Sequence, residues 1–240
     1  KNYPEPGVVM DKYGADALRF YLMSSPVVKA EDLRFSEKGV DLVMKRVLLT
    51  LWNVVTFYKI FQPGVTITAV PTSKQVMDRW VLARTQEVIT TVTEAMNSYN
   101  LMLATITLEN YIQDISTWYL RRSRQRFKAD ATKAEAVSTL HYVLLVTAKL
   151  MAPFTPFIAE RIYQELIPAA ATSWDSVHLS SWPEQDKSLA SSEALHEMSL
   201  TRSLVEQILA LREQYGIKVR QPLATVTLPQ PPLDPNYIQI

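Results

Sequence analysis

A mainly α-helical chain, an antiparallel helical bundle followed by the start of a small α/β junction domain, is the fold class this sequence of 240 residues predicts. Three observations carry it. Apolar residues recur at three- and four-residue spacing through a series of long stretches. Those stretches are separated by short breaks rich in Pro, Asn or Gly, and helices joined by short loops pack as antiparallel neighbours. Only after Gly216 does the pattern turn to one that reads as a strand.

Lys1 to Val28 opens with Pro4 and Pro6, breaks at Tyr13-Gly14-Ala15-Asp16, and continues with Ala17, Leu18, Tyr21 and Leu22 at helical spacing. Two short helices are predicted, Pro26 ending the second, and Val27 to Phe35 is an irregular connector. Ser36 is an N-cap for an amphipathic run with Val40, Val43, Met44, Val47, Leu48, Leu51, Val55 and Tyr58 on one face. That run stops before Pro63-Gly64, and Val65 to Thr72 is a loop. Lys74 to Tyr99 carries a stripe through Met77, Val81, Thr85, Val88, Ile89, Val92 and Met96, and Asn97-Ser98 with Asn100 marks its end. A helix from about Asn100 to Lys128 follows. At about 29 residues it would be about 43 Å long, so its C-terminal third is expected to project beyond its neighbours.

Ala131-Thr132 begins the next helix, with Val137, Leu140, Leu144, Thr147, Ala148 and Met151 inward, and Ala152-Pro153-Phe154-Thr155-Pro156 ends it. Thr155 is placed to cap a further helix with Pro156 at its first position, continuing through Ile158, Ile162, Tyr163 and Leu166. Pro168 to Asp186 reads as a loop with a possible strand at Val177 to Leu179. A last helix over about Ala190 to Tyr215 has Gly216 as its left-handed cap, and Leu223 to Leu228 and Tyr237 to Ile240 read as strands of a second small domain cut short. The expected organisation is a connector over 1–35, a bundle over 36–186 and a junction region over 187–240.

With 48% hydrophobic and 20% charged residues, the composition is that of an ordinary globular protein. The absence of cysteine removes disulfides and thiolate zinc sites, and three scattered histidines, His141, His178 and His196, offer no metal-ligand spacing, so no metal site is expected. Five glycines form no phosphate-cradling cluster, and neither a nucleophile elbow nor a distinctive carboxylate pair occurs. No catalytic residue and no cofactor are therefore assigned within this stretch. No apolar run approaches the about 20 residues needed to cross a bilayer, so no membrane partner is expected and the chain reads as soluble.

One stretch stands apart in charge. Trp118-Tyr119-Leu120-Arg121-Arg122-Ser123-Arg124-Gln125-Arg126-Phe127-Lys128 holds five basic side chains and no acidic one, although the whole chain is only +1. Guanidinium forks pair with phosphates and ring faces stack on unpaired bases, which points to RNA. Placed at 100° per residue, the apolar stripe of Leu101, Ala104, Leu108, Tyr111, Ile112 and Ile115 runs forward into Trp118, Tyr119, Arg122 and Arg126, while Arg121, Arg124 and Lys128 point elsewhere. The candidate RNA-binding set is Trp118, Arg121, Arg122, Arg124, Arg126 and Lys128. Within it, Arg121, Arg124 and Lys128 are assigned to phosphates. Arg122 and Arg126 go either to bases or to ion pairs inside the bundle, Trp118 either to a stacked base or to the core, and Phe127 to packing. The competing reading is a protein-interaction module whose basic ridge docks an acidic partner.

Several runs together resemble the isoleucyl-tRNA synthetases, a class I family: Lys1-Asn2-Tyr3-Pro4-Glu5-Pro6, Tyr13-Gly14-Ala15-Asp16-Ala17-Leu18-Arg19, Ser25-Pro26-Val27-Val28-Lys29-Ala30-Glu31-Asp32-Leu33-Arg34-Phe35, Trp118 to Phe127, Leu150-Met151-Ala152-Pro153-Phe154-Thr155-Pro156-Phe157 and Val219-Arg220-Gln221-Pro222-Leu223. The Ser-Pro-Val-Val run and the multiple-arginine helix favour isoleucine over the valine and leucine relatives. The resemblance implies a piece that follows the Lys-Met-Ser-Lys-Ser loop, without the catalytic and editing domains of the same chain, and holding the anticodon-binding bundle. It also implies a parent enzyme that joins isoleucine to its tRNA with ATP and Mg2+, works as a monomer and is cytoplasmic. The partner implied is the isoleucine-accepting tRNA, gripped by its anticodon stem and loop. By the same resemblance the Tyr13-Gly14-Ala15-Asp16 turn is either a tRNA contact or a local cap in which Asp16 starts a helix and Gly14 permits the turn.

Overall fold

The computed structural model describes residues 4–167, 176–223, 225 and 227. Two short helices open it, α1 (Pro6–Tyr13) and α2 (Ala15–Met23), hinged at Gly14. The hinge has φ 86°, a left-handed conformation that glycine adopts without a Cβ penalty. A 3-10 turn, Pro26–Lys29, then opens the stretch read from sequence as irregular. α3 (Glu37–Val43) begins where Ser36 accepts a hydrogen bond from Gly39 N, as its position predicts. A π-helical stretch, Met44–Leu49, carries the same rod into α4 (Thr50–Phe61), which ends before Pro63.

α5 (Val76–Asn97) and α6 (Leu101–Gln113) form the central hairpin. Its turn closes when Asn100 accepts through Oδ1 from Leu103 N, starting α6. A second π stretch, Asp114–Leu120, leads to the short α7 (Arg121–Ser123). The continuous helix therefore ends at Ser123, not Lys128. Residues 124–128 form turns that fold back, burying Phe127 completely, so the basic end does not project as a free rod.

α8 (Asp130–Met151) and α9 (Pro156–Leu166) complete the bundle. Thr155 does stand at the N-cap of α9, but its hydroxyl donates back to Met151 O. The cap is supplied from a distance by Asp16 of α2, whose carboxylate accepts from Phe157 N at 3.4 Å and Ile158 N at 2.7 Å. Asp16 thus caps α9, and Arg19 adds a bond to Pro153 O at 3.1 Å. Val177–Leu179 is a 3-10 turn and not a strand, because Ser176 caps it by accepting from His178 N. α10 (Ser192–Gln214) starts at a Ser191 cap and is closed by Gly216 at φ 64°, with Gly216 N donating to Glu213 O and Ile217 N to Arg212 O.

The strand expected at Leu223 to Leu228 has residues 224, 226 and 228 outside the described residues, and Leu223, Thr225 and Thr227 belong to no strand. Tyr237 to Ile240 lies outside the described residues.

α5 lies at the centre, packed against α6, α8 and α10, and buries Trp80, Val81, Thr85, Val88, Ile89 and Val92. α8 packs along α9, and α2 lies across α3 and α6. Val9, Ala17 and Phe20 of the opening helices share one core with Phe154 and Ile162 of the bundle. In α10 every buried residue, Ala194, Glu197, Met198 and Thr201, falls in the first half. The rod that extends past its neighbours is therefore α10.

Candidate nucleic-acid interface

The basic run is tied down from inside. Asp78, fully buried at the first turn of α5, takes the Arg126 guanidinium through both oxygens, Nη1 to Oδ1 at 2.6 Å and Nη2 to Oδ2 at 2.7 Å. Tyr119 donates its hydroxyl to the same Oδ1 at 2.9 Å, and Glu135 of α8 approaches Arg126 at 3.8 Å. Burial works against charge on Arg126, but the Asp78 hydrogen bonds and charge overcome it and hold its pKa above the ordinary value. Burial, reinforced by the Asp78 charge, pushes the Tyr119 hydroxyl well up, so it stays a neutral donor. Of the two roles left open for Arg126, the structure places it in the ion pair.

Trp118 is half-buried between the run and α10. The Arg122 guanidinium lies over its ring at 3.9 Å, Arg202 stands at 5.2 Å, and its indole Nε1 donates to Met198 Sδ at 3.0 Å. Arg122 has its pKa lowered by burial and by the charge of Arg121. Arg202 also donates to Asp114 Oδ1 at 2.7 Å, while Arg84 donates to Oδ2 at 3.0 Å. Asp114 thus fastens α5 and α10 to the π stretch beneath the arginines.

The π stretch explains why the projection at 100° per residue misplaces side chains. An i→i+5 turn accommodates an extra residue, so the buried positions become Asp114, Ile115, Tyr119, Leu120, Ser123 and Phe127, and Arg122 turns outward.

Arg121, Arg124 and Lys128 are exposed, and among the described residues no carboxylate lies within ion-pair distance of them. Beside them, α4 presents the half-buried rings of Phe57 and Phe61, packed over the buried Phe127. Arg124 lies 5.9 Å from the Phe57 ring centre. At the same end of the bundle opens a cleft of about 1010 Å³, lined by residues 70–75, Arg79, Leu82, Glu135 and residues 188–191. Glu135, the residue facing Arg126, forms part of its wall.

Buried Asp78 and the partly exposed Phe57, Phe61 and Arg202 take part in this arrangement and are not singled out by sequence reasoning. Asp78 lies 48 residues before its partner, a distance no local periodicity spans. Among the described residues no cluster of three or more His, Asp or Glu side chains is placed to hold a metal ion, and no helix is long and apolar enough to cross a membrane.

Residues 78–228 match the family model described as the anticodon-binding domain of tRNA ligase. The chain is 42% identical over 231 residues to the isoleucine--tRNA ligase of Chlamydia trachomatis serovar D, and 38% identical over 237 residues to that of Protochlamydia amoebophila. The matches cover 94% and 95% of this chain but 22% of each relative, so the chain spans about a fifth of their length. A chain in the crystal structure of the ternary complex of Agrobacterium radiobacter K84 agnB2 LeuRS-tRNA-LeuAMS shares the fold, with a TM-score of 0.59 at 18% identity over 79% of this chain and 22% of that one.

Proposed function

Because this chain belongs to the anticodon-binding domain family of tRNA ligases, we propose that its basic turn, residues 121–128, grips the anticodon stem and loop of an isoleucine-accepting tRNA. The observation that carries this reading is a division of labour within one run. Arg126 is immobilised by Asp78 and Arg122 lies on Trp118, while Arg121, Arg124 and Lys128 are exposed and, among the described residues, have no carboxylate within ion-pair distance. Exposed cations held on a rigid frame suit phosphate oxygens, whose contacts position an RNA without reading its sequence. An RNA duplex hides its base edges in a narrow major groove, so discrimination must come from unpaired loop bases.

The isoleucine assignment is supported by relatives that carry that activity in their names. In the whole ligase, isoleucine activation with ATP and Mg2+ belongs to parts of the protein other than these residues, and this stretch supplies tRNA binding alone. On the same reading the enzyme is cytoplasmic and monomeric.

The test is titration of the chain with an anticodon stem-loop of the isoleucine tRNA at two salt concentrations. Replacing Arg121, Arg124 and Lys128 together by Ala should weaken binding and flatten the log-log salt dependence by about 0.7 per lost contact, leaving cooperative unfolding intact. Affinity that survives the triple replacement counts against the proposal, and equal affinity for the valine tRNA stem-loop counts against the isoleucine assignment.

A further inference from the structure

The described residues hold two π stretches, Met44–Leu49 and Asp114–Leu120, and one side chain joins them. An α turn pairs each carbonyl with the N–H four residues on, and a π turn moves the partner to the fifth. Where one register gives way to the other, a carbonyl is left short of its donor. In the first stretch Thr50 N turns to Val47 O, three residues back, and the Thr50 hydroxyl donates to Lys45 O at 3.0 Å, five residues back. Thr56 and Thr85 bond back four, to Trp52 O and Val81 O, the usual reach in an α-helix. The next carbonyl, that of Arg46, accepts from Gln113 Nε2 at 2.6 Å, across 67 residues of sequence. Gln113 is the last residue of α6 and abuts Asp114, where the second π stretch begins. One turn earlier Glu109 pairs with Arg46 Nε at 3.4 Å, so α6 holds Arg46 by backbone and side chain together.

We infer that Gln113 is a positioning residue that sets the register of the arginine run. The extra residue of the second π stretch decides which side chains beyond it face inward. Tyr119, Ser123 and Phe127 do, while Arg121, Arg124 and Lys128 face solvent. Relaxation of that turn to α spacing would rotate each later residue by about 100°, drawing Tyr119 off Asp78 and turning Ser123 outward. Gln113 opposes it from both sides. Its side chain is anchored on a neighbouring rod at Arg46 O, and its own carbonyl accepts from the Thr117 hydroxyl at 2.8 Å. The role bears on binding through the RNA reading above, because an RNA meets Arg121, Arg124 and Lys128 together only in the native register.

The chain contains no cysteine, so a single introduced thiol reports burial directly. Ser123 and Thr139 are fully buried with hydroxyls that find no hydrogen-bond partner, which makes Ser123→Cys and Thr139→Cys mild replacements. Gln113→Met keeps the length of the side chain and loses its donor. Added to Ser123→Cys, it should raise the rate of thiol labelling in native buffer by about 3- to 10-fold, the equilibrium weight of one hydrogen bond. The Thr139→Cys thiol on α8 should not respond. Gln113→Lys, which keeps a donor and stands one turn after Glu109, should restore protection at position 123. An unchanged rate there, an equal rise at both thiols, or no rescue by Gln113→Lys overturns the positioning role. Anticodon stem-loop at about ten times its Kd should slow labelling at position 123 about tenfold, because a ligand of one register draws the equilibrium toward it. A stem-loop that binds without slowing that labelling overturns the link between register and RNA contact. If the chain binds no stem-loop while Gln113→Met still exposes the thiol, the RNA reading falls and the positioning role stands.

Discussion

Arg126 and Asp78 meet in a two-pronged ion pair, 2.6 and 2.7 Å, with the carboxylate wholly out of solvent and Tyr119 donating to it as well. Two charges taken from water repay that cost only where geometry is good, and removal of one leaves the other stranded. Asp78→Ala should therefore cost about 3–5 kcal/mol in urea unfolding. The double variant Asp78→Ala with Arg126→Met should recover part of that loss, since no buried charge is then left unpaired.

That pair also marks what periodicity could and could not reveal. The stripes over α3, α4, α5 and α8 are legible because each helix has one apolar face and a defined cap or break, as at Ser36 before α3 and Pro63-Gly64 after α4. The reach of the arginine helix is not, because the π stretch at Asp114–Leu120 changes the angular step, and the chain leaves the helix at Ser123 to bury Phe127. Charge clustering finds the run itself. Which arginine faces inward depends on Asp78 and on Trp118 meeting α10, contacts made 48 and 80 residues away. The Asp16 cap on α9 is hidden for the same reason, with its partner 142 residues distant.

Gly39 sits inside α3, where replacement of glycine by alanine ordinarily gains about 0.5–1 kcal/mol in a helix interior. Here the sign should reverse. A Cβ at Gly39 would fall against the Tyr21 ring edge. That ring is not free to move, because its hydroxyl accepts from Ser36 N at 3.1 Å and its face meets Phe35 at 5.5 Å and 84°. Gly39→Ala should destabilise by about 1–3 kcal/mol in denaturant unfolding, the scale of an overpacked contact.

His141 supplies a pH dependence of definite sign. Its Nδ1 lies 2.8 Å from the Tyr58 hydroxyl, and burial holds its pKa below the ordinary histidine value while pushing Tyr58 up to about 12. The folded chain keeps His141 neutral, whereas the unfolded chain takes up a proton below about pH 6.5. Stability from this site is thus complete above that pH and is lost as pH falls through the interval down to the folded value. Asp16, whose pKa burial raises, works in the opposite sense, favouring the folded state as pH falls and it takes up its proton. Urea unfolding followed across mildly acidic pH should show falling stability for the native sequence and a flatter profile for His141→Gln.

Tyr99 closes the α5–α6 hairpin in a left-handed conformation, φ 57°, with 89% of its surface exposed. Its N–H donates to Met96 O and that of Asn100 to Ala95 O, the pair of bonds that usually places glycine at this position. An L-residue there costs about 1–2 kcal/mol, from which the greater chain entropy of an unfolded glycine, about 0.5–1 kcal/mol, must be subtracted. Tyr99→Gly is expected to stabilise by up to about 1 kcal/mol, raising Tm by about 2–4 °C at this chain length. The turn lies beyond one end of α5 and Asp78 near the other, about 30 Å apart at the helical rise. Affinity for an anticodon stem-loop should be unchanged in the same variant, and calorimetry beside an RNA titration checks both.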